Sequence, residues 1–240
     1  MKKRIIILSN ETTHHSYFIN RLIQNGVEIV AVVYETLIHQ SKFVTGPFFD
    51  TEQEQFEKEH FFKEFTSDLP EDLPVHHVRT VNDAKAIDLI KKYDADLGIV
   101  FGCGKIQPPV FKTTRDGLIN IHRGVAAKYR GLDSDLWAIY NRDLESLGVT
   151  IHKVEEDLDT GDVLKEACLV LDPIKEIYQL RYYTTVLAAD LVLEVLKEYE
   201  QSGSLRMAPQ KTKGKYFSAM PLELKNETAD IFNQFFKVQS

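Results

Sequence analysis

Two short runs of β-branched residues with a helical stretch between them constrain this chain more than any other feature. Residues Arg4–Leu8 read RIIIL and residues Val27–Val33 read VEIVAVV. A near-continuous apolar run of this length suits a strand covered on both faces, as strands of a parallel sheet are. The segment His15–Gln24 between them has a helical pattern and stops at Asn25-Gly26, a pair suited to a helix C-terminus. Strand, helix and strand at this spacing form a crossover unit with parallel strands. The chain is therefore predicted to build an α/β fold with a doubly wound, mostly parallel sheet.

The rest of the pattern continues that reading. Further strands are predicted at Val75–Val78, Leu97–Phe101, Gly117–Ile121, Val149–Val154 and Val163–Leu171. Helices are predicted at Asp50–Phe65, from a cap at Asn82 or Asp83 to about Tyr93, at Asp135–Tyr140, and along a long apolar-periodic stretch from Pro173 past Val195. Ser202-Gly203-Ser204 marks a boundary. A catalytic domain over 1–200 and a short C-terminal extension over 201–240 are expected. The Phe48–Phe65 segment alternates acids with aromatics. It reads either as an amphipathic helix packed on the core or as a flap over a cleft, and so many exposed aromatics are unusual on a monomer.

Composition removes several functions. The 29 basic and 36 acidic residues leave a net charge of -7, against the clustered Lys and Arg of a nucleic-acid binder. Cys103 and Cys168 form no C-x-x-C pair or disulfide framework. The N-terminal apolar run is too short for a signal-peptide core, and no stretch approaches a membrane span. A cytoplasmic protein without a membrane or nucleic-acid partner is expected. The spacing of His and Cys supplies no zinc motif, so no metal is expected. The first βα turn, Ser9-Asn10-Glu11-Thr12-Thr13, lacks the glycines of a dinucleotide fingerprint.

The residues with chemical promise sit at the end of one strand. Asn120 and His122 are two apart, so their side chains project to the same side. Ligands of open parallel sheets bind at that carboxyl end. An amide donor beside an imidazole suits a developing oxyanion. Asp159 lies in the turn DLDTGD, where a carboxylate could charge the imidazole or relay a proton. Alone, each feature also has a structural explanation, a turn in the case of Asp-Thr-Gly.

Together, N-I-H-R-G-x-x-x-K-Y-R-G, then D-L-W-A-I-Y, then G-V-T-I-H-K-V-E-E-D-L-D-T-G-D-V-L resemble the folate-dependent formyltransferase family. The resemblance is dense from Gly117 to Leu164 and colinear over most of Arg4–Leu196. It implies that Asn120, His122 and Asp159 are catalytic and that Thr150 and His152 support them. It implies 10-formyltetrahydrofolate as cofactor, held by Gly102, Cys103, Gly104, Lys105, Ile106, Val154, Glu155 and Asp157. The Ser-Leu-Leu-Pro of many members is replaced by Gly124-Val125-Ala126-Ala127, which bears on the acceptor and leaves the catalytic triplet intact.

Among acceptors, a nucleotide-linked amino sugar of the kind used in bacterial surface glycans is expected, with Lys128, Tyr129, Arg130 and Trp137 as candidate contacts. By resemblance, tRNA-directed members carry a further C-terminal domain, for which little chain follows Gln201. Purine-pathway members hold a ribose phosphate at a glycine-rich first turn, where this chain has Glu11. A glycinamide ribonucleotide or methionyl-tRNA acceptor, or a folate-binding protein without turnover, are the alternatives. A homodimer packed through the C-terminal segment is compatible with the sequence.

Overall fold

A computed structural model describes residues 2–37, 41–63 and 68–237. The first strand, β1 (Arg4–Ser9), leads into helix α1 (Thr13–Gln24) and parallel strand β2 (Glu28–Glu35). Helix α2 (Asp50–Phe61), β3 (Val75–Val78), α3 (Ala84–Lys92), β4 (Leu97–Phe101), the short α4 (Pro108–Phe111) and β5 (Leu118–His122) follow. Then come β6 (Tyr129–Gly131), α5 (Ser134–Tyr140), β7 (Gly148–Lys153), β8 (Val163–Cys168), α6 (Leu180–Ser202), β9 (Lys215–Phe217) and α7 (Leu222–Lys237).

Among the described residues, seven strands form one sheet in the order β3-β2-β1-β4-β5-β7-β8. β1 to β5 are mutually parallel where they pair, while β7 runs antiparallel to β5 and β8 antiparallel to β7. The doubly wound fold is thus as predicted. The winding reverses between β1 and β4, which opens a crevice at their carboxyl ends.

Alternation along the strands sorts the core into two layers. Ile5, Ile7, Leu97, Ile99, Ile119, Ile121, Val149 and Ile151 face α1 and α6. Ile6, Leu8, Val33, Val100 and Leu118 face the opposite layer, which contains Ile90 of α3 and Val110 of α4. The even-numbered side chains of β5 beyond Leu118 are Asn120 and His122, so the polar pair lies on the second face.

The structure shifts two predicted boundaries. The long helix starts at Leu180 rather than at Pro173, because residues 173–179 form turns and a 3-10 segment, Ile177–Gln179, with a Glu176/Gln179 capping box. Ile174 and Ile177 join a separate apolar cluster with Ile139, Met220 and Phe232. Leu169 and Leu171 pack against that cluster beyond the end of β8. The segment after Gly203 is also structured. β9 pairs in parallel with β6, and Phe232 and Ile231 of α7 pack with Ile139 of α5.

α2 is anchored to α6. Glu57 is completely buried, and its carboxylate takes two bonds from Arg181, Nε at 2.6 Å and Nη2 at 2.9 Å. Phe61 stacks on Tyr17 of α1 and lies against Tyr182, while Phe56 packs on His60. This is the packed amphipathic helix of the two readings given for the segment; Phe65 lies outside the described residues. Removing Arg181 would strand a buried charge, a change that typically costs about 3–5 kcal/mol. We expect Arg181→Ala to lose about that much in denaturant unfolding, and Glu57→Leu/Arg181→Met to recover most of it. Full stability in Arg181→Ala alone would show that α2 is held by its aromatics instead.

Candidate active site

The antiparallel register of β7 assembles the centre. Asn120 lies opposite His152 and His122 opposite Thr150, so four polar side chains share one face of two adjacent strands. Thr150 fixes the loop after His122: its hydroxyl donates to the Gly124 carbonyl at 2.7 Å, and Ala126 N–H donates to it at 3.1 Å.

The β7–β8 connection folds back over this face and brings in Asp159. Its φ of 53° is left-handed, a conformation costing roughly 1–2 kcal/mol for a residue with a Cβ. Its partners hold it there. Oδ2 accepts from Gly131 N–H at 2.8 Å and lies 3.5 Å from His122 Nδ1. Oδ1 lies 3.3 Å from both His152 Nε2 and Asn120 Nδ2. Two glycines make the approach possible. A Cβ on Gly161 would stand 1.9 Å from the Lys153 carbonyl oxygen, and one on Gly131 (φ +96°) would stand 2.1 Å from that of Phe217.

The hydrogen bonds assign the protons. His122 Nε2 lies 2.7 Å from the Tyr129 carbonyl and His152 Nδ1 lies 2.8 Å from that of Lys153. Carbonyls only accept, so both nitrogens carry hydrogen. In the neutral ring, His122 Nδ1 then presents its lone pair toward Asp159. In its neutral form His152 Nε2 likewise accepts from Asn120 Nδ2 at 3.1 Å, and when protonated it donates to Asp159 Oδ1 at 3.3 Å. Burial lowers the His122 pKa, an effect that the Asp159 charge only partly offsets. Burial opposes ionisation of Asp159, yet His122, a hydrogen bond and charge from His152, and Gly131 N–H outweigh it and hold the carboxyl at about 2. The pair is a neutral imidazole beside a carboxylate, able to take up a proton from an incoming group.

The two segments expected to hold the cofactor converge beside this face. Cys103, Ile106 and Val154 all pack on the same apolar cluster as Leu118 and Val110. Burial, reinforced by the Glu35 carboxylate, pushes the Cys103 thiol well up, so it is a packing group. Gly102 has φ +89°, and a Cβ there would lie 2.7 Å from the His15 ring. Gly104 N–H donates to Glu35 at 2.8 Å, and the Asn82 side chain binds Lys105 O and Gln107 N. Glu155 and Asp157 are exposed, with Asp157 paired to Lys213 at 2.8 Å. The apolar floor and exposed polar rim of these loops fit a flat heteroaromatic ring with a polar tail.

The four acceptor candidates have structural partners. Lys128 pairs with Asp143 at 3.2 Å. Tyr129 and Trp137 both stack on Phe217. Arg130 donates to the carbonyls of Gly214 at 2.6 Å and Leu158 at 2.9 Å. The cation with the loosest partner in this loop is Arg123, 4.0 Å from Asp135.

Sequence reasoning missed Glu35, Gly131, Gln210 and the His14–His15 pair as parts of this region. A lone acid closing an apolar strand was the available signal for Glu35. The histidines lie on helix α1, where their rings sit 3.9 Å apart against Phe101. Among the described residues no group of three or more His, Cys, Asp or Glu is arranged to hold a metal, and no helix is long and apolar enough to cross a membrane.

A doubly wound sheet carrying an amide donor, a buried imidazole and a carboxylate at one strand end defines a centre suited to acyl-group transfer. Residues 2–184 match the family model described as Formyl transferase, and the chain belongs to that family. The methionyl-tRNA formyltransferase of Finegoldia magna is 30% identical over 163 residues, covering 65% of this chain and 52% of the relative. The chain thus spans about half the length of that curated relative. A sugar N-formyltransferase from Shewanella sp. FDAARGOS_354 superposes with a TM-score of 0.62 at 16% identity, covering 90% of this chain and 76% of the other. HypX from Aquifex aeolicus, in complex with tetrahydrofolic acid, gives a TM-score of 0.58 at 21% identity, covering 93% of this chain and 31% of the other.

The buried imidazoles make stability depend on pH. Burial lowers the His14 and His122 pKa values, and burial with nearby Arg123 and Arg181 pulls His15 down to about 3. The unfolded chain binds protons on these rings below about pH 6.5 and the folded chain does not. Their contribution is present above that pH and is lost as pH falls toward the folded values. We expect the melting temperature to drop steadily from pH 6.5 to pH 4. His15→Gln should flatten the slope of unfolding free energy by up to about 1.4 kcal/mol per pH unit. An unchanged slope would mean that His15 titrates alike in both states.

Proposed function

We propose that this protein transfers a formyl group from 10-formyltetrahydrofolate to the amine of a nucleotide-linked amino sugar. The observation that carries formyl transfer is the Asn120–His122–Asp159 cluster, with His152 locking the amide of Asn120 from the opposite strand. When bound, the folate supplies the formyl group; the similar structure of HypX is a complex with tetrahydrofolic acid. Gly102–Ile106 and Val154–Asp157 are the segments that would hold it.

The chemistry follows from the geometry. Of the two contacts made by Asn120 Nδ2, the one to Asp159 is the longer at 3.3 Å, so an incoming formyl oxygen can draw it away and receive the hydrogen bond. That donor stabilises the negative charge developing on the oxygen. The acceptor amine, on bonding to the formyl carbon, would give its proton to the His122–Asp159 pair, and the pair would supply a proton to the folate nitrogen as the bond from that nitrogen to the formyl carbon breaks. The carboxylate beside His122 stabilises the imidazolium formed, and Tyr129 O holds the ring in place.

For the acceptor, the sugar N-formyltransferase neighbour supports the amino-sugar reading. So does the net charge of -7, which disfavours the long phosphate backbone of a tRNA. Arg123, beside His122, is the cation we assign to the diphosphate. The curated relative favours a second reading, a methionyl-tRNA acceptor. A cytoplasmic setting, a homodimer, a division into 1–200 and 201–240, and a role in surface-glycan synthesis belong to the same proposal.

Loss of one oxyanion donor typically costs about 10²–10³ in turnover. Asn120→Ala, His122→Ala and Asp159→Asn should each fold and lose at least that much, and Asn120→Ala/His122→Ala should lose less than the product of the singles. Near-normal turnover in any single variant would remove that residue from the mechanism. In direct competition, a nucleotide-linked amino sugar should give a higher specificity constant than glycinamide ribonucleotide or methionyl-tRNA. The reverse order would overturn the acceptor assignment. Arg123→Ala should raise KM for the nucleotide sugar more than for the corresponding sugar 1-phosphate.

A further inference from the structure

The segment that follows α6 returns to the site. Ala208 exchanges two main-chain bonds with Val163 at the start of β8, at 2.8 and 2.9 Å. Thr212 donates to the Ala127 carbonyl at 2.8 Å, in the loop after His122. Between these anchors stands Gln210. Its Nε2 donates to the carbonyls of Asp159 at 2.9 Å and Gly161 at 3.0 Å. Two carbonyls admit only an amide NH2, so the side-chain orientation is fixed. On the other side of the same turn, Arg130 joins the Leu158 carbonyl to that of Gly214, and Lys213 pairs with Asp157. Asp157, Asp159 and Gly161 are therefore gripped directly by Lys213 and Gln210, which lie beyond the 2–184 stretch that matches the family model, and Leu158 is tied to Gly214 through Arg130.

The Asp159 side chain needs this grip because its backbone is left-handed. Its side chain is held by Gly131 N–H at 2.8 Å and by longer contacts of 3.3 to 3.5 Å to His122, His152 and Asn120, and the Gln210 amide holds its main chain. We propose that Gln210 is a positioning residue: it fixes the backbone of the Asp159 turn, so that the segment after α6 sets the distance between the carboxylate and His122. This rests on the role given to Asp159 in the proposed function.

The test uses the full chain with Gln210→Ala and with Gln210→Glu, which keeps the size of the side chain and loses the donor. The titration of His122, followed by NMR of the labelled imidazole, reports on Asp159 whether or not formyl transfer occurs. Asp159 and Asp135 raise this pKa and His152 lowers it, while Tyr129 O holds the ring. Of these groups, Gln210 touches only Asp159. Gln210→Ala should therefore shift the His122 midpoint to lower pH, and Gln210→Glu should shift it less, because the added carboxylate acts in the opposite direction. With the nucleotide amino sugar, kcat should fall about 10- to 10²-fold, as for a small misplacement of a reacting group, with KM little changed. In the Asp159→Asn background, Gln210→Ala should add almost nothing. An unchanged His122 titration in both variants would overturn the proposal, and so would an equal fractional loss of kcat with and without Asp159. If the His122 shift is seen in a chain that formylates no acceptor, Gln210 positions the turn as proposed and the assigned function fails.

Discussion

One carboxylate in a left-handed turn joins the parts of this molecule that matter for chemistry. Asp159 reaches the amide of Asn120 and the rings of His122 and His152, and Gly131 N–H closes its other oxygen. These contacts come from three stretches of chain, β5, β7 and the end of β6, and Asp159 itself from the β7–β8 connection. Burial alone would push this carboxyl toward its neutral form. Hydrogen bonds from Gly131 N–H and the Asn120 amide, and the charge that the neighbouring imidazoles carry when protonated, reverse that. The same carboxylate then determines what His122 can do, since a buried imidazole gains a proton readily only beside a negative charge.

The reversal of strand direction after β5 is the topological condition for that contact. A parallel β7 would have to start at the opposite end of β5, which needs a crossover along the sheet. Running antiparallel, β7 presents Thr150 and His152 on the same face as His122 and Asn120. Its exit then leaves the β7–β8 loop free to fold back over them. Gly161 is demanded at one point of that return, because the Lys153 carbonyl occupies the space of a Cβ. The Asp-Thr-Gly turn is thus shaped by packing against its own strand as much as by local turn preference.

The segment after α6 serves both stability and the site. Its apolar residues Met220, Ile231 and Phe232 complete a cluster with Ile139 and Leu180. Its polar residues, Gln210, Thr212 and Lys213, grip loops around Asp159 and His122. Charged and aromatic residues expected to meet an acceptor are used in the same way. Arg130 bridges two main-chain carbonyls, and Tyr129 and Trp137 stack on Phe217. A basic or aromatic residue near a site has several possible partners in sequence, and only the fold selects one.

The sequence by itself determined the sheet and the chemical pair. Runs such as RIIIL and LGIVF have no polar face to leave in water, so they must be central strands, and spacing by two puts Asn120 and His122 on one side wherever that strand lies. It also carried the motifs that identify the family. Tertiary structure alone decided the rest. Pro173 looked like a helix start because Ile174 and Ile177 continue the apolar period, but these residues serve a second cluster whose other members come from α5 and the C-terminal helix. The His14–His15 pair, Glu35 and Gln210 carry no local pattern. Their roles arise from partners distant in the chain, such as Phe101, Gly104 and Asp159. Hydrogen bonds across such separations depend on loop closure and packing, which no spacing rule along the chain encodes.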